Sequence, residues 1–178
     1  MKRERQLIKQ AKNGDLSALD EIVRYYYPEI YKYCCWHTKT VEEAEDATQE
    51  TFFKSLRFMN AYKNNGTFRA YLYKIALNTC IDISRKKNGN TNEYPNEDIS
   101  EIEYEEVGYE NIESDFDFEI LLHDLTGKQK ELIILRFAHN LSFREIAEIT
   151  DSNLRTTQAN IRKALKKIEK QFNDGKGM

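Results

Sequence analysis

LSFREIAEITDSNLRTTQANIRKALKKI, residues 141–168, reads as two helices joined by a tight turn. Ser142 followed by Glu145 is a capping box, and Leu141 with Ile146 occupies the staple positions around it, so a helix is expected to start at Phe143. Asp151, Ser152 and Asn153 interrupt the pattern. In the second helix Leu154, Thr157, Ile161, Ala164, Leu165 and Ile168 recur at helical spacing on one face. The other face carries Arg155, Gln158, Asn160, Arg162, Lys163, Lys166 and Lys167. Amide and guanidinium groups near the helix start can meet base edges, and lysines further along can meet phosphates. The pair therefore reads as a helix-turn-helix, set against the plainer reading of an amphipathic surface helix.

Charge divides the rest of the chain. The formal net charge is −3, yet residues 89–119 hold twelve acids and no Lys or Arg, leaving 27 basic against 18 acidic residues elsewhere. The acidic block also contains Pro95, Gly89, Gly108 and scattered Asn and Ser, without a clean period before Phe116; it reads as an extended, solvated linker. On either side Gly is sparse within the periodic segments, and Pro28 is the only proline outside the linker. The expected fold is thus all-α. It comprises a helical domain at residues 1–88, a flexible acidic linker at 89–117, a helix-turn-helix domain at 118–172 and a tail at 173–178.

The composition narrows the class further. An apolar content of 40% with no apolar run near 18 residues argues for a soluble protein that does not insert into a membrane. The polar start MKRERQLIKQ predicts neither a secretory signal nor a transit peptide. Cys34, Cys35 and Cys80 lack the spacing of a disulfide framework, so a reducing cytoplasm is the expected location. Adjacent Cys34 and Cys35 cannot easily chelate one ion with His37, and no second Cys/His pair follows; no metal and no cofactor is expected, and the cysteines read as packing residues. His123 and His139 have no nucleophile at a recognisable spacing, and no Gly-rich phosphate loop occurs. The chain is not expected to be an enzyme.

Within the first domain, Arg5 to Asn13 predicts a short helix closed by Gly14, and Asp15 caps the next from Leu16. That helix buries Ala18, Leu19, Ile22, Tyr26, Ile30, Tyr31 and Cys34, with Pro28 marking a kink or break. A third helix spans Val41 to Met59, its stripe formed by Val41, Ala44, Ala47, Thr48, Thr51, Phe52, Leu56 and Met59. Glu42, Glu45, Asp46, Gln49, Glu50 and Phe53 then face solvent. An apolar Phe53 rimmed by acids suits a protein contact, although a merely solvated face has the same pattern. The loop NAYKNNGT, residues 60–67, precedes a fourth helix from Phe68 to Lys87 with Phe68, Leu72, Ile75, Ala76, Thr79 and Ile83 inside. Tyr62, Lys63, Arg69, Tyr71, Tyr73, Lys74 and Asn78 are placed around its other side, where rings interleaved with cations can stack unpaired bases and hold phosphates. Core tyrosines beside a cationic helix end (Arg85, Lys86, Lys87) would look alike.

Taken in order, these segments resemble the extracytoplasmic-function class of bacterial RNA polymerase sigma factors. LIKQAKNGDLSAL is similar to the family's opening, EEAEDATQETFFKSL to its polymerase-binding helix, and FRAYLYKIALNTCIDISRKK to the element that melts and reads the minus-ten promoter element. LTGKQKELIILRF and the helix-turn-helix resemble its C-terminal domain. The resemblance implies that Asp46, Gln49 and Glu50, with Phe53 beside them, meet core RNA polymerase. It implies that Tyr62 and its loop residues Lys63 and Asn64, with Arg69, Tyr71, Lys74 and Asn78, meet the melted minus-ten strand, Tyr62 and Asn78 accepting a flipped base. It places Arg155, Thr156, Gln158, Ala159, Asn160 and Lys163 in the major groove of the minus-thirty-five element of promoter DNA; on the helix's own pattern Arg162, Lys166 and Lys167 would meet phosphate. The acidic linker would lie in the polymerase cleft in place of nucleic acid. A cognate anti-sigma factor is a further implied partner.

Departures from the family's pattern are local. Thr126 stands in place of a usual Pro after Leu125 and can cap the next helix. Tyr71 replaces a common Trp, Asp151 a frequent turn Gly, Gln158 and Asn160 residues more often basic, and Leu165 a frequent Arg. The fold tolerates these; the promoter sequence read is what they change. Two alternatives from other classes stay open on sequence alone. A stand-alone helix-turn-helix regulator would bind duplex DNA without polymerase, usually as a dimer on a palindrome. A non-DNA-binding adaptor would ignore DNA altogether.

Overall fold

A computed structural model describes residues 2–62, 66–87, 118 and 120–175, and the chain divides into two units, Met1–Thr91 and Asn92–Met178. All regular elements among the described residues are helical. In the first unit α1 (Lys2–Lys12), α2 (Leu16–Cys35), α3 (Val41–Arg57) and α4 (Phe68–Lys87) follow one another, with a 3-10 turn at Met59–Ala61. In the second, α5 (Gly127–Ile133) runs into a π-helical turn (Ile134–Ala138) and is followed by α6 (Phe143–Ile149) and α7 (Leu154–Gly175).

Local chemistry places the boundaries. Gly14 closes α1 at φ +86°, a conformation that side chains disfavour. The Asp15 carboxylate then accepts from the Ser17 and Ala18 amides to start α2. Of the two outcomes expected at Pro28 the break does not occur: α2 runs on as one helix through the exposed proline. Thr40 caps α3 by accepting from the Glu43 amide. That helix ends at Arg57 rather than Met59; Met59 lies in the 3-10 turn and is buried there. α1 begins at Lys2, three residues before the sequence reading.

The first core is unusually aromatic and hydroxylic. Ile30, Tyr33, Leu72 and Tyr73 are fully buried, with the Tyr33 and Tyr73 rings edge to face at 5.0 Å. Buried Thr48, Thr51 and Ser55 return their hydroxyls to carbonyls of their own helix, to Ala44, Ala47 and Phe52, so each hydroxyl is satisfied inside α3. Cys34, Cys35 and Cys80 are buried free thiols. The Cys80 thiol donates to Cys34 and holds its pKa below the ordinary thiol value. Among the described residues no cluster of three or more His, Cys, Asp or Glu could hold a metal ion, and no helix is long and apolar enough to cross a membrane.

Two expected faces need correction. Tyr73, placed outside from its neighbours, is fully buried, because α4 packs against both α2 and α3 and so has little free surface. Val41, placed inside, is 50% exposed at the first position of α3, before the stripe meets its neighbours.

The second core is aliphatic: Leu132, Ile133, Ile134, Leu135, Leu141, Ile146, Ile149 and Ile161 are at most 2% exposed. Four of these are consecutive, and the widened turn at Ile134–Ala138, with the His139 amide donating to the Ile134 carbonyl, begins at the third of them. Both expected caps form as reciprocal boxes, Thr126 with Gln129 and Ser142 with Glu145. α7 continues through Gly175, past the boundary expected at 172, and Leu154 (37%) and Leu165 (40%) are exposed rather than on its buried stripe.

Candidate nucleic-acid and protein interfaces

α3 presents the polar face read from its periodicity. Glu42, Glu45, Asp46, Gln49 and Glu50 are exposed, and Phe53 stands 61% exposed among them. Opposite, Ala44, Ala47, Thr48, Thr51 and Phe52 are buried, so the helix rotation is fixed by packing and the acids cannot turn inward. Glu50 lies 3.6 Å from Lys54, which also reaches Asp82 at 3.5 Å on α4. What remains is an acidic surface with a single aromatic knob, complementary to a basic partner that offers a hydrophobic recess.

At the entrance to α4 the rings close on one another. Tyr62 is only 8% exposed, its ring 5.4 Å from Phe68 and 4.9 Å from Tyr71. Its hydroxyl donates to the Gly66 carbonyl at 3.1 Å. Lys12, at the end of α1, donates to the Tyr62 carbonyl at 2.7 Å while its ammonium lies 5.4 Å from the ring centroid. The sequence hides this buttress, since fifty residues separate the partners. Tyr71 is half-buried and donates to the Ser55 carbonyl at 3.3 Å; burial raises its pKa above the ordinary tyrosine value. Arg69 is drawn to Glu29 on α2 and stacks over Tyr73 at 5.7 Å, so its charge is largely committed within the unit. Lys74 is half-buried and Asn78 exposed. Lys63 and Asn64 lie outside the described residues.

α6 and α7 form the helix-turn-helix. Asp151 sits at φ +48° in the turn, a left-handed position that Asp tolerates. The Ser152 amide donates across it to the Ala147 carbonyl at 2.9 Å, and Asn153 caps α7 by accepting from the Thr156 amide at 2.8 Å. Thr157, Ile161 and Ala164 anchor α7 to the core. This leaves Arg155, Thr156, Ala159, Arg162, Lys163 and Lys166 exposed and Gln158 and Asn160 half-exposed. Lys167, read from sequence as a phosphate contact, is exposed and donates to Gln129 on α5 at 3.0 Å. Gln171 on α7 also hydrogen-bonds Asp124, the largest cause of that carboxyl's lowered pKa. The basic surface therefore lies towards the start of α7, where an inserted helix would meet base edges.

Comparison with known proteins finds relatives of both units. Residues 22–89 match the Sigma-70 region 2 family and residues 118–168 match Sigma-70, region 4. RNA polymerase sigma factor SigV of Bacillus subtilis (strain 168) is 32% identical over 144 residues, covering 81% of this chain and 84% of that protein. The ECF RNA polymerase sigma factor SigW of the same organism is 29% identical over 180 residues, covering 94% and 95%. Among solved structures, CnrH in complex with the cytosolic domain of CnrY superposes with a TM-score of 0.69 at 18% identity, covering 96% of this chain and 97% of that one. RpoE in complex with the anti-sigma factor NepR, from Bartonella quintana, gives 0.63 at 19% identity, covering 86% and 96%; these two share the fold. An acidic helix face, a basic helix-turn-helix and these matches in one order have one account: the chain belongs to the extracytoplasmic-function class of RNA polymerase sigma factors, non-catalytic subunits that direct core polymerase to begin transcription at particular promoters.

Proposed function

We propose that the two helical units divide promoter use between them, with residues 1–88 serving polymerase binding and the minus-ten element and residues 118–172 the minus-thirty-five element. The acidic segment 89–117 is the linker between them. Asp46, Gln49, Glu50 and Phe53 dock on core polymerase, the acids meeting a basic helical surface and Phe53 entering a recess in it. Arg155, Thr156, Gln158, Ala159, Asn160 and Lys163 face base edges of the upstream element, while Arg162 and Lys166 hold phosphates. Exposure of these residues along the start of α7, opposite a buried stripe, supports that assignment.

At the downstream element the reading calls for a rearrangement. Tyr62, Tyr71, Arg69, Lys74 and Asn78, together with Lys63 and Asn64, hold the melted strand, and an extruded base takes its place beside the Tyr62 ring. Because that ring is closed beneath Lys12, the base must displace the lysine or stack against the half-exposed Tyr71. Unstacking a base pair step costs a few kcal/mol, which such stacking offsets in part. The protein works in the cytoplasm. A cognate anti-sigma factor, of the kind with which the RpoE relative was captured, silences it by covering these surfaces.

The observation that carries the reading is the coexistence on one chain of the acidic α3 face with its exposed Phe53 and the basic start of α7. In vitro transcription with core polymerase and a promoter library tests it. Specific transcripts should require both the chain and core. Tight sequence-specific binding to duplex DNA by the chain alone, without any transcript, would favour a stand-alone regulator; indifference to DNA in both assays would favour an adaptor.

A further inference from the structure

Three hydroxyls join the two helices of the helix-turn-helix. Thr150 Oγ1 lies 2.8 Å from the Ile146 carbonyl and 2.9 Å from Ser152 Oγ. Ser152 Oγ in turn lies 2.7 Å from Thr157 Oγ1, which reaches the Asn153 carbonyl at 3.1 Å. Three protons serve four contacts. Both carbonyls already accept from the backbone amides of Thr150 and Thr157, each at 3.0 Å, so a threonine hydroxyl can turn to Ser152 without orphaning a carbonyl. Ser152 thereby donates to one threonine and accepts from the other, closing a directional chain from the end of α6 to the first turn of α7.

Ser152 occupies a place where two helix-end motifs overlap. Its amide bonds to the Ala147 carbonyl across left-handed Asp151, which makes it the second residue past the end of α6; there a side chain usually makes an apolar contact with the helix it leaves. It also immediately precedes Asn153, the cap of α7, where an apolar residue usually packs against the fourth helical position, here Thr157. Both apolar contacts are replaced by hydroxyl pairs, and Thr157 is fully buried. The difference is directional. An apolar staple holds two helices together but tolerates rotation, whereas a hydrogen bond loses strength steeply with angle. Turning a helix by about 20° moves a side-chain tip at a radius of roughly 6 Å by about 2 Å, enough to break a base contact. Thr157 lies between Thr156 and Gln158 in sequence, so fixing its rotation fixes theirs.

We propose that Ser152, without touching DNA, is a specificity-determining positioning residue whose hydroxyl chain sets the rotation of α7 in the groove of the upstream element. This rests on the assignment of α7 as the helix that reads that element. The full-length chain bound to core polymerase is assayed for its affinity for a selected upstream element relative to a scrambled one, alongside thermal unfolding. Ser152→Ala should lower the ratio about five- to tenfold, the size of one lost hydroxyl bond, while affinity for the scrambled element is unchanged. The double variant Ser152→Val/Thr157→Val, which installs the apolar staple, should unfold no earlier than the parent yet discriminate as poorly as Ser152→Ala. Ser152→Thr should recover the parent ratio.

A parent ratio in both Ser152→Ala and the double variant overturns the proposal, as does a stable double variant with full discrimination. If the parent itself shows no preference between the two elements, the assignment of α7 fails before any variant is read, and the proposal falls with it.

Discussion

In the first unit the rings that would meet melted DNA belong to the core, whereas in the second the candidate contacts stand clear of it. Tyr62 is 8% exposed and packed on Phe68 and Tyr71, and Arg69 is paired with Glu29; Arg155, Lys163 and Lys166 point to solvent from a helix anchored on its opposite face by Thr157, Ile161 and Ala164. The contrast follows what each surface is proposed to bind. Duplex DNA offers its phosphates and base edges ready-made, so a rigid helix with exposed donors suffices. A base that must first be unstacked can be received by a surface that itself opens, the closed rings protecting apolar area until then.

The largest effect should come where the first unit behaves like the second, on the exposed acidic face of α3. Because Asp46 and Glu50 contribute nothing to the core, reversing both (Asp46→Lys/Glu50→Lys) should leave circular dichroism unchanged and cost no more than about 1 kcal/mol of stability, from the lost Glu50–Lys54 pair and the like charges that replace it. Association with core polymerase should weaken by about 3–4 kcal/mol, or about two to three orders of magnitude in Kd. Pull-down and titration of labelled core measure this. Undiminished binding by the folded variant would move the docking site off this face.

The next effect tests the contrast itself. Tyr62→Ala removes a packed ring from the first core and should cost about 3 kcal/mol of stability as well as strand opening, reported by permanganate reactivity of promoter thymines. Arg155→Ala in the second unit should weaken promoter binding with a stability change within about 0.5 kcal/mol. If Tyr62→Ala unfolds no earlier than the parent, the ring is not part of the core and the contrast disappears.

Smaller again is the change of base preference. Gln158 and Asn160 present a donor and an acceptor side by side, matching adenine, whereas Arg favours guanine. Asn160→Arg should shift the preferred upstream base towards guanine at one position, by about 1–2 kcal/mol, without altering the spacing to the downstream element. Selection from randomised upstream elements with parent and variant decides it; identical preferences at every position would mean that the half-exposed Asn160 reads no base.

The same contrast explains what could be read in the sequence. Helix caps depend on residues close in sequence, so Asp15, Ser142 and the acidic face of α3 were legible from spacing alone, and Thr126 once the family's pattern was set beside it. The faces of α4 were not. Its apolar period is weak because it is enclosed from two sides, and Tyr73, flanked by Leu72 and Lys74, carries no local sign that it meets Tyr33. Nor could spacing show that Lys12 crosses to Tyr62, that Lys167 turns back to Gln129, or that Ser152 joins two threonines, since a polar residue's partner is set by tertiary packing.

The smallest expected effect separates the units by pH. All tyrosines of the chain lie at or before Tyr109, so none falls among the helices of the helix-turn-helix domain, α5 to α7. Tyr26 donates to the Glu4 carboxylate at 2.5 Å, and its pKa is raised well above the ordinary tyrosine value, first by burial and then by that bond; Tyr31 and Tyr71 are raised as well. Since the folded pKa exceeds the unfolded one, the stability tied to the neutral phenol is fully present below about pH 10. It is lost as pH rises, because the unfolded chain then releases a proton that the folded chain retains, at about 1.4 kcal/mol per pH unit for each such tyrosine. At about pH 9, Tyr26→Phe should therefore be less stable than the parent by roughly 1 kcal/mol, the value of the lost hydrogen bond. By about pH 11 the parent has one more tyrosine drawing it towards unfolding, and the difference should close or reverse. Denaturant unfolding of the full chain at the two pH values, followed by the fluorescence of Trp36, the single tryptophan, for the first unit and by the helical circular-dichroism signal that outlasts that transition for the second, reads both. The first unit should lose stability with pH and the second should lose less. A parent-to-variant difference that stays constant across this range would mean that Tyr26 titrates normally, and that its burial beside Glu4 does not govern the alkaline limit of the first unit.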